Sequence, residues 1–306
     1  MSNLNRLSFM KRTLVIGNGF DLDAGMKTSY SDFARSEFWP FSDAKQYEGF
    51  DTLAYVLNEK SNFNTWFDVE ETMFEYARKD NVGLTLSGDA IQRQDEKNLD
   101  ILKSKLLMYL RDQQDDLEPK SDSTAIKVLN KFLSEDGEKR IYSFNYTDLS
   151  WIAQRNDLYF GDKSLLTYMH GSVDLRHIIL GVGDKRDLKD DYFFFYKISS
   201  PYYRFNRMIP DLQQSDEIII FGHSLGINDY PYFMPFFYQQ SDFKRYSDTG
   251  RKKITIFTYS ESSMLEIKRH LRDLTGSELT SLYNLSDLNI FTTDGSNDYE
   301  ITHFLD

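Results

Sequence analysis

The 306-residue chain carries 36 basic and 48 acidic residues, for a formal net charge of −12, and it contains no cysteine. The missing thiols exclude disulfides, thiolate zinc sites and a cysteine nucleophile, and the negative charge disfavours binding to nucleic acid or anionic membranes. Residues 1–11 lack the apolar core of a signal peptide, and no apolar run approaches the ~18 residues that span a bilayer. We therefore expect a cytoplasmic protein without membrane contact.

The first predicted strand, Leu14-Val15-Ile16, runs directly into the glycine turn Gly17-Asn18-Gly19. Its β-branched, fully apolar character is typical of a buried parallel strand. Glycine at such a turn lets a ligand approach the bare backbone, but the spacing to Gly25 departs from the GxGxxG of dinucleotide dehydrogenases. The turn therefore indicates either a phosphate-binding loop or an ordinary connection between a strand and a loop.

Helical periodicity dominates the next part of the chain, from Ser42 to about Leu133. We interpret residues 42–134 as a helical insertion within a single domain that covers residues 1–306. Farther along, the charged run from Asp184 to Asp191 is interpreted as a mobile loop, either a solvated connection or a lid.

Strand and helix patterns alternate after the insertion. Strands are predicted at residues 141–144, 165–169, 178–180, 217–221, 254–257 and 289–292. Helices are predicted at residues 148–155, 230–238, 261–274 and 298–305, whereas residues 21–25 are expected to form a turn. This alternation predicts an α/β fold with a Rossmann-like, doubly wound and mostly parallel sheet.

Four of the predicted strands end in polar or glycine-rich motifs. In chain order these are GNGFD, FNYTD, MHGS and FGHSLG. Ligands of open α/β sheets bind outside the carboxyl ends of the strands, at one edge of the sheet. We therefore expect these four motifs to converge on one crevice.

Two side chains of these motifs are candidate catalytic residues. His170 follows a strand, where an imidazole facing a crevice suits a general base near neutral pH and a buried structural histidine fits equally. Asn145 follows another strand and either caps a turn or holds a ribose or a water. A metal site is poorly supported because the acidic residues form no compact ligand pattern, so no metal is expected.

The segment from Gly222 to Gly226 matches the GxSxG nucleophile elbow of serine hydrolases, with Ser224 as the nucleophile. An elbow leads directly into a helix, but residues 227–231 intervene here and predict a turn before a proline at a helix start. Only Asp229 or a later acid, with His270 or His303, follows Ser224 in the usual chain order of a triad. A serine hydrolase therefore stays open beside a ligand-contacting loop that Asp229 closes.

Aromatic residues are abundant, with 20 Tyr and 24 Phe, and they cluster in residues 192–196 and 230–238. Such clusters are typical of a hydrophobic core, and aromatic surfaces also serve protein interfaces. We expect them to form core, and any homo-oligomer to associate through them.

Together these motifs resemble those of a known family. The ordered set GNGFDLDAGMKTSYSDF, the helix of Trp66 and Glu70, SFNYTD, MHGS and IIIFGHSLGINDYPYF is similar to the bacteriophage abortive-infection AbiH family over most of the chain. More distantly, that family resembles sirtuin-like proteins, whose Rossmann-like sheet binds NAD. Sirtuin deacetylases carry a four-cysteine zinc module, which this cysteine-free chain lacks, so the resemblance does not extend to deacetylation.

The resemblance implies positions for a bound nucleotide. Gly17 and Gly19 correspond to the glycine turn beneath the diphosphate. Asn145 matches the asparagine near the nicotinamide ribose, and His170 matches the histidine base. The expected nucleotide contacts, including a later glycine-serine loop, are Gly17, Asn18, Gly19, Phe20, Asp21, Thr28, Gly222, His223, Ser224 and Asp229.

The implied function is antiphage defence through binding of NAD or a related nucleotide, with hydrolysis of the nicotinamide–ribose bond after a phage-derived trigger. In that mechanism His170 is the base for a ribose hydroxyl or the attacking water, which Asn145 orients, and the amides of residues 17–20 hold the diphosphate. The alternative from another class is a non-catalytic module that senses a nucleotide and binds a partner through its aromatic segments.

Overall fold

The computed structural model describes residues 10–42, 52–63, 68–79, 89–116, 118, 120–245 and 250–306. Trp66, which belongs to one of the motifs above, lies outside the described residues, as do residues 43–51 and 80–88 of the predicted insertion. In the part of the chain that is described, no helix combines the length and the apolar character needed to cross a membrane.

Six strands form the central sheet, and every neighbouring pair in it is parallel. A separate antiparallel ribbon pairs β4 (Gly171–Ser172) with β5 (His177–Ile178). The strand order reverses between the third and fourth positions, as in dinucleotide-binding sheets. From one edge to the other, the sheet contains β3 (Leu166–Tyr168), β2 (Glu138–Ser143), β1 (Lys11–Ile16), β6 (Glu217–Phe221), β7 (Lys252–Thr258) and β8 (Ser286–Thr292).

The α/β fold with a doubly wound parallel sheet is therefore confirmed. One of the predicted strands does not belong to this sheet. Residues 178–180 were expected to form a strand of the sheet, and only Ile178 is in a strand, that of the short ribbon. The chain changes direction at Gly171, where φ is +80°, a backbone conformation that glycine adopts more readily than residues with a Cβ. Ile178, at the start of the apolar run, therefore pairs with Gly171 in the ribbon and not with a strand of the sheet.

Helices cover both faces of the sheet and form a further layer beside it. In chain order they are α1 (Asn18–Asp23), α2 (Tyr30–Ala34), α3 (Leu53–Phe63), α4 (Val69–Ala77), α5 (Asp89–Asp115), α6 (Thr124–Ser134), α7 (Leu149–Arg155), α8 (Met208–Gln214), α9 (Tyr230–Gln240), α10 (Glu261–Leu274), α11 (Leu279–Leu285) and α12 (Asp298–Leu305). The last predicted helices, 261–274 and 298–305, are confirmed to the residue. The turn predicted at residues 21–25 is shorter than expected: α1 continues to Asp23, and only residues 24–25 form a turn.

Side chains of β1 alternate between the two faces, as strand geometry requires. Leu14 and Ile16 pack against α1, α6, α7 and α12, whereas Val15 packs against α8, α9, α10 and α11. On the second face Phe233, Phe236 and Phe237 of α9 are fully buried, so the aromatic run 230–238 is largely core.

Helices α2 to α5 build a second hydrophobic cluster outside the sheet. Its buried residues include Leu57 of α3, Met73 of α4 and Leu102 of α5. Val182 and Phe195, from the segment after β5, complete the cluster. The predicted insertion is therefore docked on the segment between β5 and α8, whereas α6 packs on the sheet.

The charged run from Asp184 to Asp191 is fastened to α4. Arg186 donates two hydrogen bonds to the Glu71 carboxylate, at 3.0 and 2.9 Å, and its guanidinium lies 3.4 Å from the ring centroid of Phe74. The amide of Lys189 donates to the carbonyl of Ala77 at 2.9 Å. The run is therefore a connection with mostly exposed charges, as in the first of the two interpretations, and its buried Arg186 attaches it to the helix.

Candidate functional site

Four neighbouring strands bring the predicted motifs to one edge of the sheet. Because β3, β2, β1 and β6 are adjacent and parallel, their carboxyl ends lie side by side. His170, Asn145, Gly17 and Gly222 follow these strands within two residues. This edge also contains the point where the strand order reverses, which is the usual ligand position in such sheets.

The two glycine loops pack directly on each other. The Gly17 amide donates to the Phe221 carbonyl at 3.0 Å, and the Gly19 amide donates to the Gly222 carbonyl at 2.8 Å. A Cβ on Gly17 would lie 2.5 Å from the Cα of His223, so no larger residue fits. The glycines are therefore required by a neighbouring loop.

This packing changes the expected role of the first turn. The amides of Gly17 and Gly19 donate across the loops, and the Phe20 amide donates to the Gly17 carbonyl at 2.9 Å. The Phe20 side chain is fully buried against Phe221 in the core. A diphosphate bound to these amides would have to break three backbone hydrogen bonds, so the loop as it stands is not an open phosphate cradle.

Asn145 links the first turn to the end of β2. Its side-chain amide donates to the Gly17 carbonyl at 3.0 Å and to Asp21 Oδ1 at 2.8 Å, and Thr147 donates to Asp21 Oδ2 at 2.8 Å. Both amide hydrogens of Asn145 are thus used within the protein, and its side-chain oxygen is the group left for a ligand. Burial raises the pKa of Asp21 from 3.8 to about 7, against the opposing hydrogen bonds from Thr147 and Asn145.

We expect the variant Asp21→Asn to change how stability depends on pH. The folded pKa of Asp21 lies above its unfolded value, so its stabilising contribution is complete below about pH 4 and is lost as the pH rises to about 7. At 1.36 kcal/mol per pKa unit, the free energy of unfolding of the variant should gain as much as ~4 kcal/mol over wild type across that window. Urea unfolding at several pH values measures it.

The exposed aspartate Asp122 supplies the matched control for that experiment. An Asp122→Asn variant should parallel wild type at every pH. A difference between Asp21→Asn and wild type that stays constant from pH 4 to pH 7 would contradict the assignment.

Two of the predicted contact residues, Asn18 and Ser224, are exposed at this edge, whereas Thr28 is buried. Thr28 donates to the side-chain oxygen of Asn18 at 2.6 Å, and Asn18 is exposed. Ser224 is also exposed, and its hydroxyl accepts a hydrogen bond from the Gly226 amide at 3.3 Å. Asn18 and Ser224 are therefore within reach of a ligand from solvent.

Asp229 lies at the centre of a cluster of charged and polar side chains. Its Oδ1 lies 3.0 Å from Lys197 Nζ and 3.5 Å from His170 Nε2, and its Oδ2 lies 3.3 Å from His223 Nε2. Lys197 Nζ also lies 3.2 Å from Glu70 Oε2. We call these five residues the Asp229 cluster.

Glu70 and Lys197 reach the cluster from outside the sheet. Glu70 is on the first turn of α4, and Asn228 donates to its Oε2 at 3.3 Å. Lys197 follows the aromatic run 192–196, and its amide donates to the Val182 carbonyl at 2.9 Å. Sequence reasoning assigned neither residue a role. The available signals were Glu70 within a family motif and a lone lysine after five aromatic residues.

The proton on His223 can be placed from its hydrogen bonds. The Leu225 amide donates to His223 Nδ1 at 2.9 Å, so that nitrogen carries no proton. Nε2 then carries the proton and faces Asp229 Oδ2. His223 therefore orients the carboxylate that sequence reasoning expected to close the loop.

Aromatic rings surround both imidazoles. The ring centroid of Phe144 lies 4.3 Å from that of His223 and 5.3 Å from that of His170, and Tyr232 and Phe233 of α9 close the same wall. Burial in this wall, with a smaller contribution from the positive charge of Lys197, lowers the pKa of His170 to about 3. The ring is thus neutral in the free protein and a weaker base than expected from sequence.

The two carboxyl groups of the cluster differ sharply in acidity. Burial raises the pKa of Glu70 to about 7, although Lys197 opposes the shift. Burial also acts on Asp229, but the charge of Lys197, aided by the two histidines, outweighs it and holds the pKa of Asp229 far below its usual range. Lys197 in turn stays charged because both carboxylates raise its pKa against burial.

His170 Nε2 is a buried nitrogen without a hydrogen-bond partner. Buried polar atoms are nearly always hydrogen-bonded, so each exception calls for a reason. Its distance of 3.5 Å from Asp229 Oδ1 is too long for a good hydrogen bond. A ligand hydroxyl beside the two groups would give His170 Nε2 the partner that it lacks.

The geometry does not favour a serine nucleophile. A short 3₁₀ turn at Ile227–Asp229 separates Ser224 from α9, as the sequence predicted. The residue with a left-handed backbone is Leu225, at φ 56°, whereas an elbow strains the nucleophile itself. His270, one of the two triad candidates, is hydrogen-bonded through Nδ1 to Tyr230 at 3.1 Å.

Two further features bear on ligands. Within the described ranges, no group of three or more histidine, aspartate and glutamate side chains is arranged to hold a metal ion.

A cavity of about 220 Å³ beside the edge strand β3 is lined by Met169, Gly171, Tyr202 and Arg204 among others. Its walls do not include His170, so it is separate from the Asp229 cluster.

Comparison with known proteins places the chain in a family. No curated protein matches the sequence. The model of the family described as bacteriophage abortive infection AbiH matches residues 13–245, from β1 to just beyond α9. This range contains the glycine turn, Asn145 and all five residues of the Asp229 cluster. The chain belongs to the AbiH family of bacteriophage abortive-infection proteins.

Proposed function

We propose that this AbiH protein acts in antiphage defence by binding NAD or a related nucleotide and hydrolysing its nicotinamide–ribose bond. The family indicates abortive infection. The strand order supports a nucleotide ligand, since it is that of dinucleotide-binding sheets. The likeness of the glycine, asparagine and histidine motifs to sirtuin-like proteins supports NAD as that nucleotide.

The observation that carries the proposal is the unpartnered His170 Nε2 beside Asp229. A ribose hydroxyl beside these two groups would contact both, because a hydroxyl donates one hydrogen bond and also accepts. It would donate to the Asp229 carboxylate and accept from the imidazole when Nε2 carries the ring proton. Asn145 lies at the next strand end, with its side-chain oxygen free for the same sugar or for water.

The charges of the cluster suit N-glycosidic cleavage. Breaking the bond develops positive charge on the ribose ring, as in glycoside hydrolysis. Asp229 stays ionised in this environment and would stabilise that charge. His170, neutral with a pKa of about 3, would hold the ribose hydroxyl or the attacking water by a hydrogen bond.

Activation by a phage-derived trigger belongs to the same proposal, because an unregulated NAD hydrolase would kill its own cell. Self-association through the aromatic segments is supported by the exposed rings of Phe193 and Tyr238. Measuring the oligomeric state of the protein at rising concentration, with and without phage lysate, would test the self-association. Measuring nicotinamide release with and without the lysate would test the activation.

We expect purified protein with NAD to release nicotinamide, and His170→Ala to lower the rate by at least ~100-fold, the usual loss for one group that contacts the reacting centre. His303→Ala is the matched control because His303 is exposed on α12. Chromatography with and without phage lysate measures the product. Equal release by wild type and His170→Ala would contradict the catalytic assignment, and stabilisation by NAD without product would favour the nucleotide sensor.

A further inference from the structure

Two carboxyl groups of the Asp229 cluster share one ammonium group and reach solvent together. Lys197 Nζ lies 3.2 Å from Glu70 Oε2 and 3.0 Å from Asp229 Oδ1. The Glu70 and Asp229 side chains are 14% and 16% exposed, whereas those of Lys197, His170 and His223 are 4–5% exposed. A ligand arriving from solvent therefore meets the carboxyl groups first.

We propose that Glu70 is the general base that activates water in the proposed N-glycosidic hydrolysis, opposite Asp229 as a permanent anion, with Lys197 positioning both. This inference rests on the proposed function. It assigns a catalytic role to the helical layer, because Glu70 is supplied by α4 and Asp229 by the loop before α9.

The geometry fixes the two groups in different ways. Glu70 Oε2 forms an ion pair with Lys197 and accepts a hydrogen bond from Asn228 Nδ2, and the Asn228 side-chain oxygen accepts from the Gly183 amide at 3.4 Å. Oε1 of Glu70 is thus the oxygen left for a water. Asp229 faces the unpartnered His170 Nε2 on its other side. A ribose whose hydroxyl contacts His170 and Asp229 would lie next to the pair of carboxyl groups that Lys197 joins.

The charges around Glu70 separate the roles of the two carboxyl groups. Asp229 and Asp68 repel a second negative charge, Lys197 attracts it, and the hydroxyls of Tyr30 and Tyr146 lie within its field. Burial, together with this repulsion, outweighs Lys197 and raises the pKa of Glu70 to about 7, while Asp229 remains ionised. Environments that push two carboxyl pKa values apart are the usual arrangement for an acid–base group beside an electrostatic stabiliser.

The reaction balances with water as the only co-reactant. The C1′–N bond breaks, and its electron pair goes to the pyridinium ring, which leaves as neutral nicotinamide. A water oxygen bonds to C1′, and one water proton moves to the Glu70 carboxylate and later to solvent. The products are nicotinamide, the hydrolysed ribose and one proton.

The test is the pH dependence of nicotinamide release by the full-length protein. Because the base must be ionised, the wild-type rate should rise with pH and level off above about 7. Glu70→Gln should lower the rate by ~10²–10⁴-fold and flatten this profile, since glutamine cannot accept the proton. Asp229→Asn should lower the rate at every pH.

Azide separates a lost base from a lost fold. This anion attacks C1′ without a general base, so it should restore release by Glu70→Gln, with an azido-ribosyl product, and should not restore Asp229→Asn. Glu75→Gln is the matched control because Glu75 is on the same helix with a side chain 44% exposed. Thermal unfolding of each variant establishes that it is folded.

The outcomes distinguish this inference from the proposed function. A Glu70→Gln variant with the wild-type rate and pH profile, or one that azide leaves inactive although it is folded, would overturn the role of Glu70 alone. Wild-type protein that releases no nicotinamide with any phage lysate would overturn the proposed function and this inference together.

Discussion

Replacing Lys197 with methionine is expected to lower the free energy of unfolding by about 3–5 kcal/mol, the usual cost of removing one partner of a buried ion pair. The side chain is 5% exposed and lies between two carboxylates, so its loss leaves Glu70 and Asp229 facing each other without a cation. The loss should be smaller at pH 5 than at pH 8, because protonation of Glu70 relieves the repulsion. Urea unfolding followed by circular dichroism at the two pH values measures it.

A second substitution tests the cause of that loss. The double variant Lys197→Met/Asp229→Asn also lacks one negative charge. Its loss of stability should therefore be smaller than the sum of the losses of the two single variants. Lys127→Met is the control on a solvent-facing lysine of α6 and should change stability by less than ~0.5 kcal/mol. Lys197→Met at wild-type stability would show that the cluster is not a coupled buried unit.

Replacing Gly222 with alanine is expected to destabilise the protein by about 2–5 kcal/mol. A Cβ there would lie 2.5 Å from Gly19 Cα, and the other nearest atoms are also backbone, so no side chain can move to relieve the clash. Overpacking costs about 1–3 kcal/mol, and the left-handed backbone, at φ +66°, adds about 1–2 kcal/mol for a residue with a Cβ. The shift of the urea midpoint measures the loss.

Gly250 separates the two causes. It has the same φ of +66°, and a Cβ there meets nothing within 4 Å. Gly250→Ala should therefore lose only the backbone contribution, about 1–2 kcal/mol. Equal losses for the two variants would mean that contact between the glycine loops contributes nothing measurable.

The sheet could be predicted from sequence because its central strands are short, continuous apolar runs. Runs such as Ile218-Ile219-Ile220 bury both faces, and β-branched residues mark them as strands. Helix α8 was missed because Met208 and Leu212 are its only fully buried residues, too few to set a helical period. The run 178–180 looked like a sheet strand because its apolar character is real, but its pairing depends on the turn at Gly171.

The candidate site was predictable in part. Strand-end position pointed to His170, Asn145 and Asp229, since the carboxyl edge of a parallel sheet is shared by all its strands. It could not point to Glu70, which lies 159 residues from Asp229 and meets it only when α4 docks. The glycine turn shows another limit of prediction from sequence. A glycine such as Gly17 indicates a close approach to the backbone but not which group approaches, and in this structure it is the backbone of His223.

Helix α4 is held on two sides by adjacent residues. Glu71 makes its paired hydrogen bonds with Arg186, and Glu70 contacts Lys197 and Asn228. Ordering a long side chain on binding costs about 0.5–1.5 kcal/mol. Since folding has already removed the rotamer freedom of Glu70, a ligand that contacts it binds without that entropy loss.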